Sequence, residues 1–297
     1  MEEIIKLPKI SVVTPVFNGE KFIEKTITSI LNQNYPNLEY IVIDGGSTDN
    51  TLNIINKYKD KLSYFISEPD KGMYDALNKG FSMATGDILC WLNSDDEYYP
   101  HTLATVAKLF TDLPDVEWIE GANSFLNEDE ILVDLKKPRI LSKFNFLNYD
   151  YQWIQQESTF WRKGLMDKIS ENGDMPFDIS IKYAGDFHLW FKFFQYSKLC
   201  YTDVPLGKFR IRKNQLSEKF IDIYHQEAFS VIKGYKIPRK EKIKFCFEKI
   251  KFFIIRIMRS ICIFNTDGFD KYIFHRYAPL IILYNRERNQ FFRERAR

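Results

Sequence analysis

The sequence predicts an α/β protein with a doubly wound, mostly parallel sheet flanked by helices and a C-terminal helical appendage. Three observations carry this. The first hundred residues alternate short apolar, β-branched runs with helically spaced apolar residues. The runs carry almost no charge, as strands covered on both faces do. The charge also changes sign along the chain: 16 Lys and Arg face 6 Asp and Glu over residues 236–297, an excess of ten positive. That leaves 26 against 34 over residues 1–235, an excess of eight negative, so the tail differs in role from the body.

Ile10 to Thr14 reads as the first buried strand, breaking at Pro15-Val16-Phe17-Asn18-Gly19. Glu20 to Asn32 then sets Phe22, Ile23, Ile27, Ile30 and Leu31 at helical spacing. Glu39 to Ile43 is a second strand, ending in Asp44-Gly45-Gly46-Ser47-Thr48-Asp49. There Ser47 or Thr48 is placed to cap a helix running to Tyr58. The paired glycines either let backbone approach a ligand or close a tight turn. Leu62 to Ser67 is a third strand. Pro69-Asp70-Lys71-Gly72 then turns into a helix whose first amides suit an anion, although an ordinary solvated turn reads the same way.

Ile88 to Leu92 is the fourth strand, and it runs out at Asn93-Ser94-Asp95-Asp96, just before Pro100. Ligands bind at strand ends in open α/β sheets. Two adjacent acids are costly to bury unless a cation neutralises them. Mg²⁺ or Mn²⁺ bridging to a diphosphate meets that need with few carboxylate oxygens. Standing alone, the pair also fits a solvated acidic turn. The ends of the first, second and fourth strands are expected to converge on one sheet edge.

Further on, Trp118 to Asn123 and Ile131 to Leu135 suggest a hairpin. Asp186 opens an aromatic-rich helix, where it is either a functional acid or an N-cap. Lys208, Arg210, Arg212 and Lys213 form either a basic flap or a charged strand edge. In the tail, Ile243, Phe247, Ile250, Ile254, Ile257, Met258 and Ile261 make one helical stripe and Lys242, Lys249, Arg256 and Arg259 another. Such a helix packs on the body or lies in an anionic membrane surface. Phe269 to Tyr284 adds apolar surface for a further helix or a dimer contact.

Several classes are excluded. No Gly-x-Gly-x-x-Gly follows the first strand, and no P-loop is present. The stripe rich in Ile and Phe fits nucleic acid poorly. Four scattered cysteines, Cys90, Cys200, Cys246 and Cys262, predict a reducing compartment. Without a signal peptide or a run of about 18 to 20 uncharged residues, a cytoplasmic chain is expected, peripheral on the inner face of the cell membrane through its tail.

Four motifs in order, Ser11 to Asn18, Ile41 to Asp49, Glu68 to Gly80 and Leu92 to Asp96, resemble those of the family 2 glycosyltransferases, which are inverting enzymes of the GT-A fold. The likeness is strong over about residues 9–100, looser to about 215 and absent from the tail. It implies a catalytic domain over residues 1–235, divided into a nucleotide-binding half (about 9–100) and an acceptor half (about 101–235). The tail, 236–297, would be a basic amphipathic helical appendage.

The resemblance also implies roles. Pro15, Phe17, Asn18, Glu20 and Asp44 would contact the donor nucleotide, with Asp44 accepting from uracil N3–H in a UDP-sugar. Lys71 and Gly72 would face the diphosphate, Asp95 the ribose or sugar, and Asp96 a Mn²⁺ or Mg²⁺ ion. Asp186 would be the base that takes the proton of the acceptor hydroxyl. His188 is a rival base, but two residues along a helix it faces elsewhere. Gln156 and Glu157 would line the acceptor side, where the family commonly has a histidine in place of Gln156. The Gln-x-x-Arg-Trp signature of processive synthases is missing, so one sugar per encounter is expected, transferred to a glycan or lipid-linked oligosaccharide of a surface polysaccharide. A nucleotidyltransferase and a catalytically silent scaffold are the competing readings.

Overall fold

The strand β1 (Ile10–Val16) is buried along its whole length. It runs parallel between β2 (Leu38–Asp44) and β4 (Ile88–Trp91), and β3 (Tyr64–Ser67) continues the parallel set beyond β2. Pro15 is tolerated because it lies past the last β1–β4 pair, Val13 with Trp91, where that flank carries no ladder. The computed structural model describes residues 7–295 except 140, 152, 172, 214, 240, 244, 248–249, 251–252 and 255–279.

Beyond β4 the sheet becomes mixed. It passes through β8 (Thr159–Arg162), β6 (Trp118–Leu126), β9 (Cys200–Pro205), β11 (Leu280–Asn285) and β12 (Gln290–Arg295). The spatial order is β12-β11-β9-β6-β8-β4-β1-β2-β3, with β8 antiparallel to both neighbours. Three strands pair off this path: β5 (Glu97–Tyr98), β7 (Leu132–Lys136) and β10 (Gly207–Arg210). The predicted hairpin is β6 with β7, and β10 joins β5 to β6.

Helices α1 (Ile23–Leu31), α2 (Thr51–Asn56), α3 (Met73–Met83) and α4 (Thr102–Asp112) alternate with the early strands. After them come α5 (Lys143–Leu147), α6 (Lys163–Ile169), α7 (Gly185–Tyr196), α8 (Leu216–Lys219) and α9 (Ile221–Gly234). In α1 the spacing of apolar residues places Ile23, Ile27 and Ile30 in the core.

Four tryptophans fix α7 against the sheet. Trp91, Trp118, Trp161 and Trp190 are each at most 1% exposed. Trp190 of α7 stacks on Trp91 at 5.4 Å and Trp118 at 5.8 Å, and meets Trp161 edge-on at 5.8 Å. Each such pair adds about 0.5–1.5 kcal/mol beyond its buried area. The start of α7 is thereby held at a set place relative to β4, β6 and β8.

Two local expectations change. Neither Ser47 nor Thr48 caps α2; the Ser47 hydroxyl is hydrogen-bonded to the Asp44 carboxylate, and Asn50 stands at the N-cap, its Oδ1 accepting from Asn53 Nδ2 at 2.8 Å and making no capping bond. A buried carboxylate needs donors, and it outcompetes the helix end for that hydroxyl. The second change is in the C-terminal appendage, which is only partly helical: residues 280–295 form the β11–β12 hairpin, with β11 parallel to β9. Pairing buries Ile282 and Phe291, and Asn289 turns the chain with φ 47°, which that charge-rich end did not reveal.

The described positions between 239 and 254 are helical. Phe245 packs on Phe144 at 5.2 Å, and Lys143 pairs with Glu241 at 2.7 Å. Of the predicted stripe, Ile243, Phe247, Ile250 and Ile254 stand exposed. Lys249, Arg256, Ile257, Met258, Arg259, Ile261 and the start of the segment from Phe269 lie outside the described residues. Among the described residues no helix is long and apolar enough to cross a membrane.

Candidate active site

Parallel pairing of β4, β1, β2 and β3 sets their C-terminal ends side by side, and hydrogen bonds then lace the loops together. Asn18 adopts φ 49°, a conformation asparagine tolerates. Its N–H donates to Ser47 Oγ at 2.8 Å, and its Oδ1 accepts from Thr48 N–H at 2.9 Å. Glu20 Oε2 accepts from Asn50 N–H at 2.8 Å. Pro15 is buried within β1, whereas Phe17 beyond it is 64% exposed.

Asp44 closes β2 and is fully buried. Its carboxylate accepts from Gly46 N–H (3.1 Å), Ser47 N–H (3.0 Å), Ser67 Oγ (2.7 Å) and the Ser47 hydroxyl. It thus ties the ends of β2 and β3. At Gly45 a Cβ would lie 2.5 Å from Asp70 Oδ2, so glycine admits the Asp70 carboxylate against this strand end. Asp70 Oδ1 in turn accepts from Gly72 N–H at 2.7 Å. Gly72, at φ 113°, opens α3, and Lys71 beside it is exposed. Asp70 was visible in sequence only as a turn residue.

The acid pair follows β4. Asp96 is 1% exposed; its Oδ1 accepts from Arg210 N–H at 2.9 Å and its Oδ2 from Gln156 Nε2 at 3.3 Å. Asp95 Oδ2 pairs with Arg212 at 2.5 Å. Arg210 is not a surface residue: its guanidinium is fully buried, pairs with Glu97, donates to the Asp95 carbonyl at 2.8 Å and lies 4.6 Å over the Phe22 ring. Lys208 reaches Glu97 at 3.4 Å, and Lys213 N–H donates to Glu128.

Beneath the pair lies a buried group of acids. Burial, then the neighbouring Asp95 carboxylate, holds Asp96 well above the ordinary carboxylate range. Burial, then Asp96, does the same to Glu157, and burial pushes Glu120 up to about 8. Glu157 Oε1, Gln156 Oε1 and Asn93 Oδ1 are buried with no hydrogen-bond partner. Orphaned acceptor oxygens beside a destabilised carboxylate fit a hard divalent cation. Among the described residues no group of three His, Cys, Asp or Glu side chains is arranged to hold a metal ion.

Asp186 lies in the first turn of α7, half-buried. Burial raises its carboxyl to about 7, against the hydrogen bond its Oδ1 accepts from Phe187 N–H at 2.7 Å. Its own N–H donates to Tyr74 Oη at 3.3 Å, and Tyr74 donates to the Tyr183 carbonyl at 3.0 Å. Tyr74 belongs to the first turn of α3, so it links the Asp70–Gly72 turn to Asp186. Gly185 permits the contact, since a Cβ there would meet the Tyr74 ring at 2.6 Å. His188 is driven down to about 4 by burial, then by Lys192, and its electrostatic partners are Lys192 and Asp178. A cavity of about 380 Å³ lies among Asp115, Phe194, Cys200 and Arg293, at the opposite end of α7 and about 14 Å along that helix from Asp186.

Fold and site together define an α/β protein with acids gathered at the C-terminal edge of a parallel strand set. Residues 11–172 match the family model described as Glycosyl transferase family 2. An uncharacterized glycosyltransferase of Rickettsia prowazekii is 31% identical over 221 residues, which cover 72% of this chain and 68% of that protein. The chain belongs to glycosyl transferase family 2, and its fold is the GT-A-like one expected. Among solved structures, S. aureus TarS 1-349 in complex with UDP-GlcNAc has a TM-score of 0.63 at 18% identity, covering 88% of this chain and 77% of that one. The mannosyltransferase PcManGT of Pyrobaculum calidifontis, in complex with GDP-Man and Mn2+, has a TM-score of 0.57 at 20% identity, covering 82% and 70%.

Proposed function

We propose that this glycosyltransferase moves one sugar from a UDP-sugar, with inversion, onto a glycan or lipid-linked oligosaccharide in surface polysaccharide synthesis. The observation that carries the reading is Asp186: a carboxyl with a pKa of about 7, joined through Tyr74 to the turn that opens α3. A base is most effective when its pKa lies near the working pH.

In this reading the loops at Pro15 to Glu20 and at Asp44 hold the nucleoside. Lys71, Gly72 and the first amides of α3 face the diphosphate, where a helix N-terminus favours anions. Asp186 accepts the proton of the acceptor hydroxyl as its oxygen bonds to the anomeric carbon. The bond from that carbon to the phosphate oxygen breaks, and UDP leaves with the electron pair. Arg212 orients Asp95 toward the ribose or sugar, while Gln156 and Glu157 lie on the acceptor side of Asp96. Asp96, with diphosphate oxygens, would hold Mn²⁺ or Mg²⁺, which stabilises the charge on the leaving group. TarS with UDP-GlcNAc and PcManGT with Mn2+ support donor and ion by analogy of fold.

The tail supports docking to a membrane surface. Exposed Ile243, Phe247, Ile250 and Ile254 stand on a helix in a segment with ten excess positive charges. Calorimetry with UDP, with and without Mn²⁺, tests the donor reading; absence of binding to UDP, GDP and dTDP alike overturns it. Co-sedimentation with vesicles containing phosphatidylserine tests docking, which must weaken at high salt.

A further inference from the structure

Helix α9 lies beyond the segment that matches the family, yet it reaches the residues around Asp186. Glu227, on its second turn, accepts three successive backbone hydrogen bonds: from Lys182 at 2.9 Å, Tyr183 at 2.8 Å and Ala184 at 2.9 Å. These amides lead directly into α7, whose second residue is Asp186. The first amides of a helix and its approach have no partners inside the helix, and a carboxylate is a strong acceptor for them. Two further contacts hold the same segment. The Tyr183 ring stacks on Phe220 at 4.6 Å, and the Tyr183 carbonyl accepts from Tyr74.

We propose that Glu227 is a positioning residue for Asp186: its carboxylate gathers the amides of residues 182–184 and so sets where the Asp186 carboxylate stands. The inference rests on the assignment of Asp186 as base, and it adds a residue outside the matched segment to the working site. Glu227 is suited to this because these three hydrogen bonds all go to main chain. Replacing a side chain elsewhere in the segment therefore leaves this clamp in place.

The charge of Glu227 also acts on Asp186. The ionisable groups around Asp186 are Glu227 and Tyr224 from α9 and Tyr74 from α3, while His188 and Lys192 on its own helix interact with Asp178. Burial is the main reason Asp186 is raised, and Glu227 adds to it. A neutral isostere at 227 should therefore move the titration of Asp186 downward.

The test is carbon-13 NMR of the full chain labelled at aspartate carboxyls, with the Asp186 signal assigned by Asp186→Asn. In Glu227→Gln the midpoint of Asp186 is expected to fall below about 7, and in Glu227→Asp to stay nearer to it. UDP binding by calorimetry should be unchanged in both. An unmoved Asp186 midpoint in folded Glu227→Gln overturns the proposal. Should that variant not fold, amide hydrogen exchange on the unaltered chain decides. Protection at Lys182, Tyr183 and Ala184 supports the clamp, and exchange as fast as in an open loop overturns it. A fully active Asp186→Asn would remove the base assignment while leaving both of these readouts intact, so the two failures are distinguishable.

Discussion

Asp96 and Arg210 lie 114 positions apart, yet the Arg210 N–H donates to Asp96 Oδ1 at 2.9 Å while the Arg210 guanidinium passes beneath to the Asp95 carbonyl and Glu97. The arginine is a fixed floor for the acid pair. Its positive charge offsets part of the cost of burying neighbouring carboxylates, and the Phe22 ring covers its face. This arrangement leaves Asp96 with one weakly held oxygen, at 3.3 Å from Gln156 Nε2.

Asp96→Asn keeps the shape of that site and removes its charge. Turnover is expected to fall by about 10²–10³ or more, the usual loss when one stabilising group of a transition state is removed. In the unaltered chain a chelator should stop turnover and weaken UDP binding, and Mn²⁺ should restore both. Steady-state kinetics and calorimetry check this; chelator-resistant turnover contradicts the role given to Asp96.

Asp186 must be deprotonated to accept a proton. With its carboxyl at about 7, transfer should be maximal above that pH and fall about tenfold per unit below it. Asp186→Asn should lose about 10²–10⁴ in turnover, erase this acidic limb and bind UDP normally. A pH–rate profile of sugar transfer in both chains is the measurement.

Gly207 is a packing requirement. A Cβ there would collide with the Glu157 carbonyl, which is main chain and cannot step aside. Gly207→Ala is therefore expected to cost about 1–3 kcal/mol or more by overpacking, and to disturb the strand that carries Arg210. Chemical denaturation gives the magnitude, and a variant as stable as the parent contradicts it.

Glu39 supplies an acid-dependent part of stability. It is 3% exposed, and although burial alone would raise its carboxyl, Lys9 (2.5 Å), Ser11 (2.5 Å) and Thr85 (2.7 Å) outweigh that and hold it at about 2. The folded value lies below the ordinary 4.5, so this stabilisation is complete above 4.5 and disappears as the pH falls toward 2. Glu39→Gln should lower stability at pH 7 by about 1–3 kcal/mol and flatten its decline in acid. Urea melts from pH 7 to 2.5 would reveal the difference.

What the amino-acid sequence determined by itself was local. Uncharged runs such as Ile41 to Ile43 and the helical spacing of Ile23, Ile27 and Ile30 specify elements, because period and burial follow from side chains a few residues apart. The order of those elements placed Asp44 and Asp96 at strand ends, and the opening turn of an aromatic helix marked Asp186. The partners of those acids were decided only by tertiary structure. Ser47 had two uses, as a helix cap or as a donor to Asp44, and the buried carboxylate claimed it. Arg210 read as a surface cation until pairing of β10 with β5 and β6 carried it under the acids. Glu227 sits in an unremarked helix, and its three amides come from a segment more than forty residues away. Long-range pairing leaves no trace in local spacing, since its energy depends on burial and on donors that only the folded chain brings together.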